Sequence, residues 1–481
     1  GGSGGGIVVL KNSSVLKVNN SVLLSNNASN YGRAVYTESY VRVLITNANI
    51  ENGDGDSVQH AHASTDKCRL NTLICEEMGY FYARCDNQPN TSVGVLCQFC
   101  NFPGFGEVVL DRSCSVRKTT LVEQTLNIRS SEVQAEYFGA ETFPDSPVPI
   151  LSGSKKHRMF YVHNGGRLYL TNLTLVYCDE GSPFGCAIYL TGSAPTLNLH
   201  NVWFKKNEMK QGTGVVHANS YASITSVGST FLMNRASYGG VFALYENANL
   251  TMKDSVARNN SATNGSGGVV FAQSNCHLFI ENSLFSGNKA TQSGGSIALD
   301  SGVSLNLTST NISNSFAGVD GGGVAHYLVN DTAYQRQEQV EFSITDSLFF
   351  SNSAGRNGGG VYSINHRLIF RYSTFERNDA LAGAGIFFRC NTGNVVALES
   401  HFLSNTAAVS GAAIHGSGEN STYEIKSCSF IDNALLKRIS IAVADGGGAV
   451  YILNGSLLSV ENSTFRNNSA AGRERSFGIY S

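Results

Sequence analysis

The sequence predicts an all-β fold: a parallel β-helix whose chain winds into stacked coils, with a small disulfide-rich module near its start. Three observations predict it. One phrase repeats along most of the chain. Each copy holds short β-branched and aromatic runs separated by Gly, Asn and Ser. Six of the eleven cysteines (Cys68, Cys75, Cys85, Cys97, Cys100, Cys114) fall within 47 residues. Lys and Arg number 34 against 36 Asp and Glu, a net charge of −2, so no basic field points to nucleic acid. Charged residues are 15%, and 51 Gly beside 7 Pro argue against collagen or a disordered linker. No run of about 18 uncharged apolar residues occurs, so no membrane-spanning helix is expected.

The phrase is an aromatic or aliphatic residue, two variable positions and Asn, then Gly-Gly and an apolar strand. Phe231 and Asn234 lead to Gly239-Gly240-Val241-Phe242, and Phe285 and Asn288 lead to Gly294-Gly295-Ser296-Ile297. Phe349 and Asn352 lead to Gly358-Gly359-Gly360-Val361-Tyr362. The phrase returns at Phe375/Asn378, Phe402/Asn405, Phe430/Asn433 and Phe465/Asn468, with weaker copies at Leu23/Asn26, Phe204/Asn207 and Val256/Asn259. At Leu175 the Asn position holds Cys178. The period, about 27 residues, suits one coil of a solenoid whose neighbours stack at about 4.8 Å. A coil cannot bury its own apolar face, so neighbours must stack. The Phe column then lies inside. An asparagine ladder of Asn207, Asn234, Asn259, Asn288, Asn352, Asn378, Asn405, Asn433 and Asn468 runs at a turn.

Residues 1–66 read as the terminal coils of an upstream β-helix, since Gly4-Gly5-Gly6-Ile7-Val8-Val9-Leu10 has the form of Gly446-Gly447-Gly448-Ala449-Val450-Tyr451. Residues 67–116 form the cysteine module, and 117–481 the main β-helix of about 11–12 coils. Strands are expected around Thr119–Ile128 and Met159–Val162, and solvated insertions near 327–342 and 434–445. The alternative is one continuous β-helix with the cysteine module looped out of a corner. Gly1 begins mid-repeat without an initiator Met, and Ser481 ends on a strand. Either the chain is a fragment, or its ends meet those of neighbouring copies and make a filament.

Phe-x-x-Asn followed by Gly-Gly-apolar at this period resembles the repeat of the polymorphic outer-membrane-protein family, which also occurs in eukaryotic surface proteins. The match covers residues 166–481 well and 1–50 partly. The resemblance implies a right-handed, pectin-lyase-like parallel β-helix and surface or adhesive roles without catalysis. Bacterial members end in an outer-membrane barrel, and no train of long alternating strands matches that here. Gly79-Tyr-Phe-Tyr, Cys85, Cys97-x-x-Cys100, Gly104-Phe105 and Cys114 are similar to ephrin-receptor-like cysteine-rich modules. The usual Pro after the second Cys is missing, Asn101 and Phe102 preceding Pro103.

Fifteen Asn-x-Ser/Thr sequons occur. Asn12, Asn19, Asn27, Asn90, Asn172, Asn249, Asn264, Asn306, Asn311, Asn330, Asn420, Asn454, Asn462 and Asn467 are candidate glycosylation sites of a secreted protein, against accidental sequons in Asn/Ser-rich turns. Asn259, in the ladder, is expected to be buried and unmodified, while Asn27 and Asn467 should face outward. The cysteine density fits an extracellular module stapled by disulfides. Zinc is the competitor at Cys97-x-x-Cys100, although no second such pair lies nearby. Cys178 and Cys186 are expected to pair across one turn. Cys276, Cys390 and Cys428 remain.

The strand after Gly-Gly supplies a core column of Ile188, Val216, Phe242, Val270, Ile297, Ala325, Tyr362, Phe387, Ile414 and Val450. The next residues include Tyr189, His217, Phe271, His326, Phe388, His415 and Tyr451 and should point outward. Such a file is either a strip covered by loop or glycan, or a lateral-contact or carbohydrate-stacking strip. Its histidines are too far apart to share a metal, so neither metal nor cofactor is expected. No Asp-Asp pair or Asn-Thr-Asp marks a pectin-cleaving site, and Gly53-Asp54-Gly55-Asp56-Ser57 reads as a turn sooner than a calcium loop. The expected function is a secreted, N-glycosylated, non-catalytic structural protein that self-associates end to end or laterally in an extracellular fibre, coat or appendage. The alternative is an adhesin or carbohydrate-binding module with carbohydrate or other surface proteins as partners. A polysaccharide lyase is a distant third.

Overall fold

The computed structural model describes the chain from Thr119 to Ala470 apart from 131–147, 179–182, 328–341, 437–446 and a few further turn residues. Outside that range it describes the backbone of short strands, with the side chains of Leu110 and Val116. The backbone forms two compact units: Asn71–Lys289, and Ala290–Ser481 together with Gly1–Leu70. Both are built from parallel strands, and no helix occurs among the described residues. The protein is an all-β parallel solenoid.

Each coil carries three principal faces. In the unit of residues 71–289, Phe160–His163, Ile188–Thr191, Val216–Ala218, Phe242–Leu244 and Val270–Ala272 pair successively along the first face. The second runs from Arg167–Thr171 to His277–Glu281, and the third from Thr174–Val176 to Leu284–Ser286. In the other unit the same faces run from Val324–His326 to Val450–Leu453, from Phe342–Thr345 to Leu457–Glu461, and from Leu348–Phe350 to Thr464–Arg466. The expected strands near 119–128 and 159–162 appear as Thr120–Val122, Thr125–Ser130 and Phe160–His163.

Alternation fills the interior. The second face buries Leu168 and Leu170, then Leu197 and Leu199, in successive coils. The third face turns one residue per strand inward, and in the C-terminal unit this is a pile of phenylalanines. Phe349, Phe375, Phe402, Phe430 and Phe465 stack with centroids 4.9, 5.0, 4.8 and 4.5 Å apart. Those spacings equal the separation of neighbouring strands, so one ring per coil stacks at no cost in backbone geometry.

Two corners flank the third face, and each is made by the same device. A residue at positive φ precedes a buried polar one: Asp346 (φ 48°) precedes Ser347, and Ser351 (φ 52°) precedes Asn352. The resulting seven-residue unit repeats as Tyr372-Ser-Thr-Phe-Glu-Arg377-Asn378 and as Asn462-Ser-Thr-Phe-Arg-Asn467-Asn468, with positive φ at the first and sixth positions. The left-handed conformation costs a non-glycine residue about 1–2 kcal/mol. The buried hydrogen bonds of the next residue offset it.

The corner between ladder Asn and first face is set by glycine. Gly358 has φ +66°, and a Cβ there would meet the Val361 carbonyl oxygen at 2.4 Å. This corner also varies in length, short from Asn234 to Gly239 and much longer from Asn433 to Gly447. Both expected insertions lie mostly outside the described residues.

Several expectations need correction. The coil holding Ile312 and Ser315 was skipped in the repeat count: Ile312 stands in the Phe column opposite Phe349, and Ser315 takes the Asn position. Residues assigned to the cysteine module form coil strands, with Cys97–Cys100 pairing to Cys114–Val116 and Gly106–Leu110 to Thr125–Ser130. Cys68, Cys75 and Cys85 lie outside the described residues, as does Gly53–Ser57.

Removing one ladder amide orphans several buried partners at once. Asn378→Ala should lower unfolding free energy by about 3–5 kcal/mol in denaturant titration. Tyr372→Gly, which relieves a left-handed tyrosine, should leave it unchanged or raise it by up to about 1 kcal/mol.

Candidate functional site

The interior polar residues are ordered as two ladders. Asn378 is fully buried. Its Oδ1 accepts from the Asn352 backbone N–H at 3.0 Å and from Asn352 Nδ2 at 3.1 Å. Its Nδ2 donates to the Phe349 carbonyl at 2.9 Å and to Asn405 Oδ1 at 3.0 Å. All four amide valences are thus used, across three coils. The pattern repeats through Asn405, Asn433 and Asn468. In the other unit it runs through Asn207, Asn234, Asn260 and Asn288.

Asn259 is not in the ladder; Asn260 is. Ala257, not Val256, pairs with Phe231 and takes the inward place, which moves the amide one residue on. Asn259 is the left-handed corner residue (φ 53°) and is exposed. Asn467, also exposed, holds the equivalent position before Asn468.

The second ladder lies just before the Phe-to-Asn phrase and is not marked by it. Ser229, Ser255, Ser283, Thr310, Ser347, Ser373, Ser400 and Ser463 are all buried. Ser373 Oγ donates to the carbonyl of Arg371 at 2.8 Å and accepts from the N–H of Ser347 at 3.2 Å. The serine two residues before Phe231, Phe285, Phe349, Phe375, Phe402 and Phe465 was the available signal. Cys428 stands in this column, its Sγ 3.3 Å from the Lys426 carbonyl, while its N–H donates to Ser463 Oγ at 3.1 Å. Burial pushes its thiol up to about 12, as it does for Cys276. Cys178 heads the Asn ladder, its N–H donating to Asn207 Oδ1 at 3.1 Å, and is disulfide-bonded to Cys186.

The aromatic file is real but displaced. His217 and Phe271 flank Ala243 in one column with Tyr189, and His415 and Tyr451 share the equivalent column of the other unit. His326 and Phe388 do not belong to it; both are fully buried in the inward column, where Ser363 lies between them. Conversely Ala325, Tyr362 and Phe387, expected in the core column, lie in the file, and Val324, Val361 and Ile386 are core. The cause is the third residue of the Gly corner. Gly323, Gly360 and Gly385 occupy the place of Val241, so counting on from Gly-Gly to the second apolar residue overshoots by one.

Nor does the file face solvent. Tyr362, Phe387, His415 and Tyr451 stack with centroids 5.4, 4.5 and 5.1 Å apart, and all are buried. Ala382 packs on Tyr362 and Phe387, with Tyr327 and Ile364 beside them. Buried Asp320 closes the neighbouring corner: its carboxylate accepts from the Arg356 guanidinium and from the N–H and Nδ2 of Asn357. In the other unit Phe184 covers Tyr189 and His217, and Tyr245 stacks on His217. Tyr189 alone among the named file residues is half-exposed. The file is a second, outer hydrophobic layer.

The histidines of the file and His326 are held neutral. Burial lowers His217 and His415 to about 3, their Nδ1 atoms 2.8 Å from Thr213 Oγ1 and Ser410 Oγ. Burial lowers His326 to about 4 against the opposing pull of the Asp300 carbonyl, which accepts from Nε2 at 3.0 Å. Among the described residues no group of three His, Cys, Asp or Glu is placed to hold a metal ion.

Because these imidazoles take up protons only on unfolding, stability is full above pH 6.5. It falls as pH drops toward 4, by about 1.4 kcal/mol per pH unit for each histidine. Denaturant titrations between pH 7.5 and 4.5 should show this slope, and His415→Phe, which keeps the stack, should make it shallower. Native protein treated with a thiol reagent should show no label at Cys276 or Cys428 by peptide mass mapping, and full label after denaturation. No protein-family model, curated protein or solved structure matches this chain.

Proposed function

We propose that the chain is a secreted, N-glycosylated, non-catalytic structural protein, a subunit of an extracellular fibre, coat or hair-like appendage. The observation that carries this reading is the one-directional cohesion of the ladders. Each interior Asn binds the coil before it and the coil after it, and the side-chain chemistry of the described core is spent on holding coils together. Such a body extends along its stacking direction, which suits a load-bearing element. The Cys178–Cys186 disulfide supports an oxidising compartment. Asn259, Asn264, Asn462 and Asn467 present exposed sequon side chains suited to glycans. The resemblance to polymorphic outer-membrane-protein repeats supports a place at a cell surface.

The enclosed aromatic file weakens the adhesin reading, since stacked carbohydrate needs exposed ring faces. Protein purified from a secreting host should show filaments by negative-stain microscopy at rising concentration, and glycopeptide mapping should find sugar at Asn467. Monodisperse particles at every concentration, with unmodified sequons, would refute the proposal.

A further inference from the structure

In the unit of residues 71–289 the corner between the third face and the ladder Asn is basic. Three outward columns meet there: the last residue of the third face, the positive-φ residue, and the residue after the ladder Asn. In the first column Lys205 lies two coils before Arg258, with Leu232 between them. In the third, Arg235 is followed by Ser261 and then Lys289, each N–H donating to the ladder Asn carbonyl of the coil before. Lys206 is the positive-φ residue beside Lys205. Successive coils therefore present Lys205, Arg235, Arg258 and Lys289, on alternate sides of the corner. One coil before Lys206 stands Tyr177, whose exposed ring lies 5.9 Å from the Lys155 ammonium. Lys206, Arg235, Arg258 and Lys289 are exposed, and Lys205 is half-buried. Among the described residues Glu208, 3.8 Å from Arg235, is the one carboxylate in these columns.

The fold does not require this charge. In the unit that includes residues 290–481, the same columns hold Arg377 and Arg466 with Glu376, Asp379 and Asp432, and Arg377 pairs with Glu376 at 3.5 Å. Like charges on one ridge repel: burial and the Lys206 ammonium hold Lys205 below the ordinary lysine value. A bound anion offsets that repulsion. A ridge this narrow and several coils long fits a linear polyanion sooner than a flat bilayer. Its charges recur once per coil, about 4.8 Å, against one per about 1.7 Å along duplex nucleic acid. A sugar ring in an extended glycan advances about as far as one coil. Trp203, half-buried on the third face between Thr174 and Thr230, and exposed Tyr177 border the ridge and suit the apolar faces of sugar rings.

We infer that this ridge binds a linear acidic polysaccharide with one anion per sugar, laid along the stacking direction against Lys205, Lys206, Arg235, Arg258 and Lys289. The contact is made by charge, at a different corner from the aromatic file. Chondroitin sulfate carries one anion per sugar and is the probe; hyaluronan, with one per two sugars, is its comparison. Every protein tested carries Ser261→Ala, which removes the sequon at Asn259 and keeps a glycan off Arg258. At about 50 mM salt, Arg235→Ser with Arg258→Ser and Lys289→Ser should weaken chondroitin sulfate binding at least tenfold, with the thermal transition unmoved. Arg377→Ser with Arg466→Ser, in the same columns of the other unit, should leave binding as it was. Hyaluronan should bind several-fold more weakly than chondroitin sulfate. Full binding by the triple variant, or none by the parent protein, would overturn the inference. Equal affinity for hyaluronan would overturn the match of one anion to one coil. Tighter binding of single-stranded DNA of equal charge would overturn the glycan in favour of nucleic acid. None of these readouts depends on filament formation.

Discussion

The structure depends on one hydrogen bond repeated from coil to coil: a side-chain oxygen of Asn accepts the backbone N–H of the corresponding Asn in the coil before, near 3.0 Å. That bond fixes the vertical phase of each turn. Phenylalanine rings three residues upstream are thereby brought into register and lie nearly parallel to their neighbours, with interplanar angles of 2° to 11°. An Asn out of phase would leave a buried amide unpaired, which costs more than any single ring contact supplies. The polar column therefore decides register, and the apolar column contributes bulk stability once register is set.

The serine ladder solves the same problem with a shorter side chain. A hydroxyl reaches the carbonyl two residues back and accepts from one neighbouring coil, so it serves a corner that needs one fewer donor. Cys428 and Thr310 also occupy this column, each donating from its γ atom to the carbonyl two residues back. The Asn column is stricter, admitting Ser315 in one coil and Cys178 at its head.

The coil, its approximate length and most ladder members were legible because the amide ladder and the Phe pile leave a strong periodic mark. The errors share one origin. Corner residues at positive φ include Asn as well as Ser, Asp, Arg and Tyr, so Asn259 and Asn260 look alike to a pattern reader, and only the inward turn of Ala257 separates them. The aromatic file failed likewise, because glycine fills the third corner position in some coils and an apolar residue in others. Alternation predicted which way the file points but not that Ala382 and Phe184 would roof it over; those contacts come from corners whose sequence carries no period.

The corner between the ladder Asn and the first face has a further consequence. The two corners that flank the third face are clamped by ladders and leave little freedom in length, whereas this one runs from the short Asn234–Gly239 path to the long Asn433–Gly447 path without disturbing the strands on either side. Inserted or deleted residues can accumulate there while the scaffold stays in tune. Lineages are therefore free to diversify this seam of the solenoid, exchanging its outward decoration under selection while inheriting the frame unchanged.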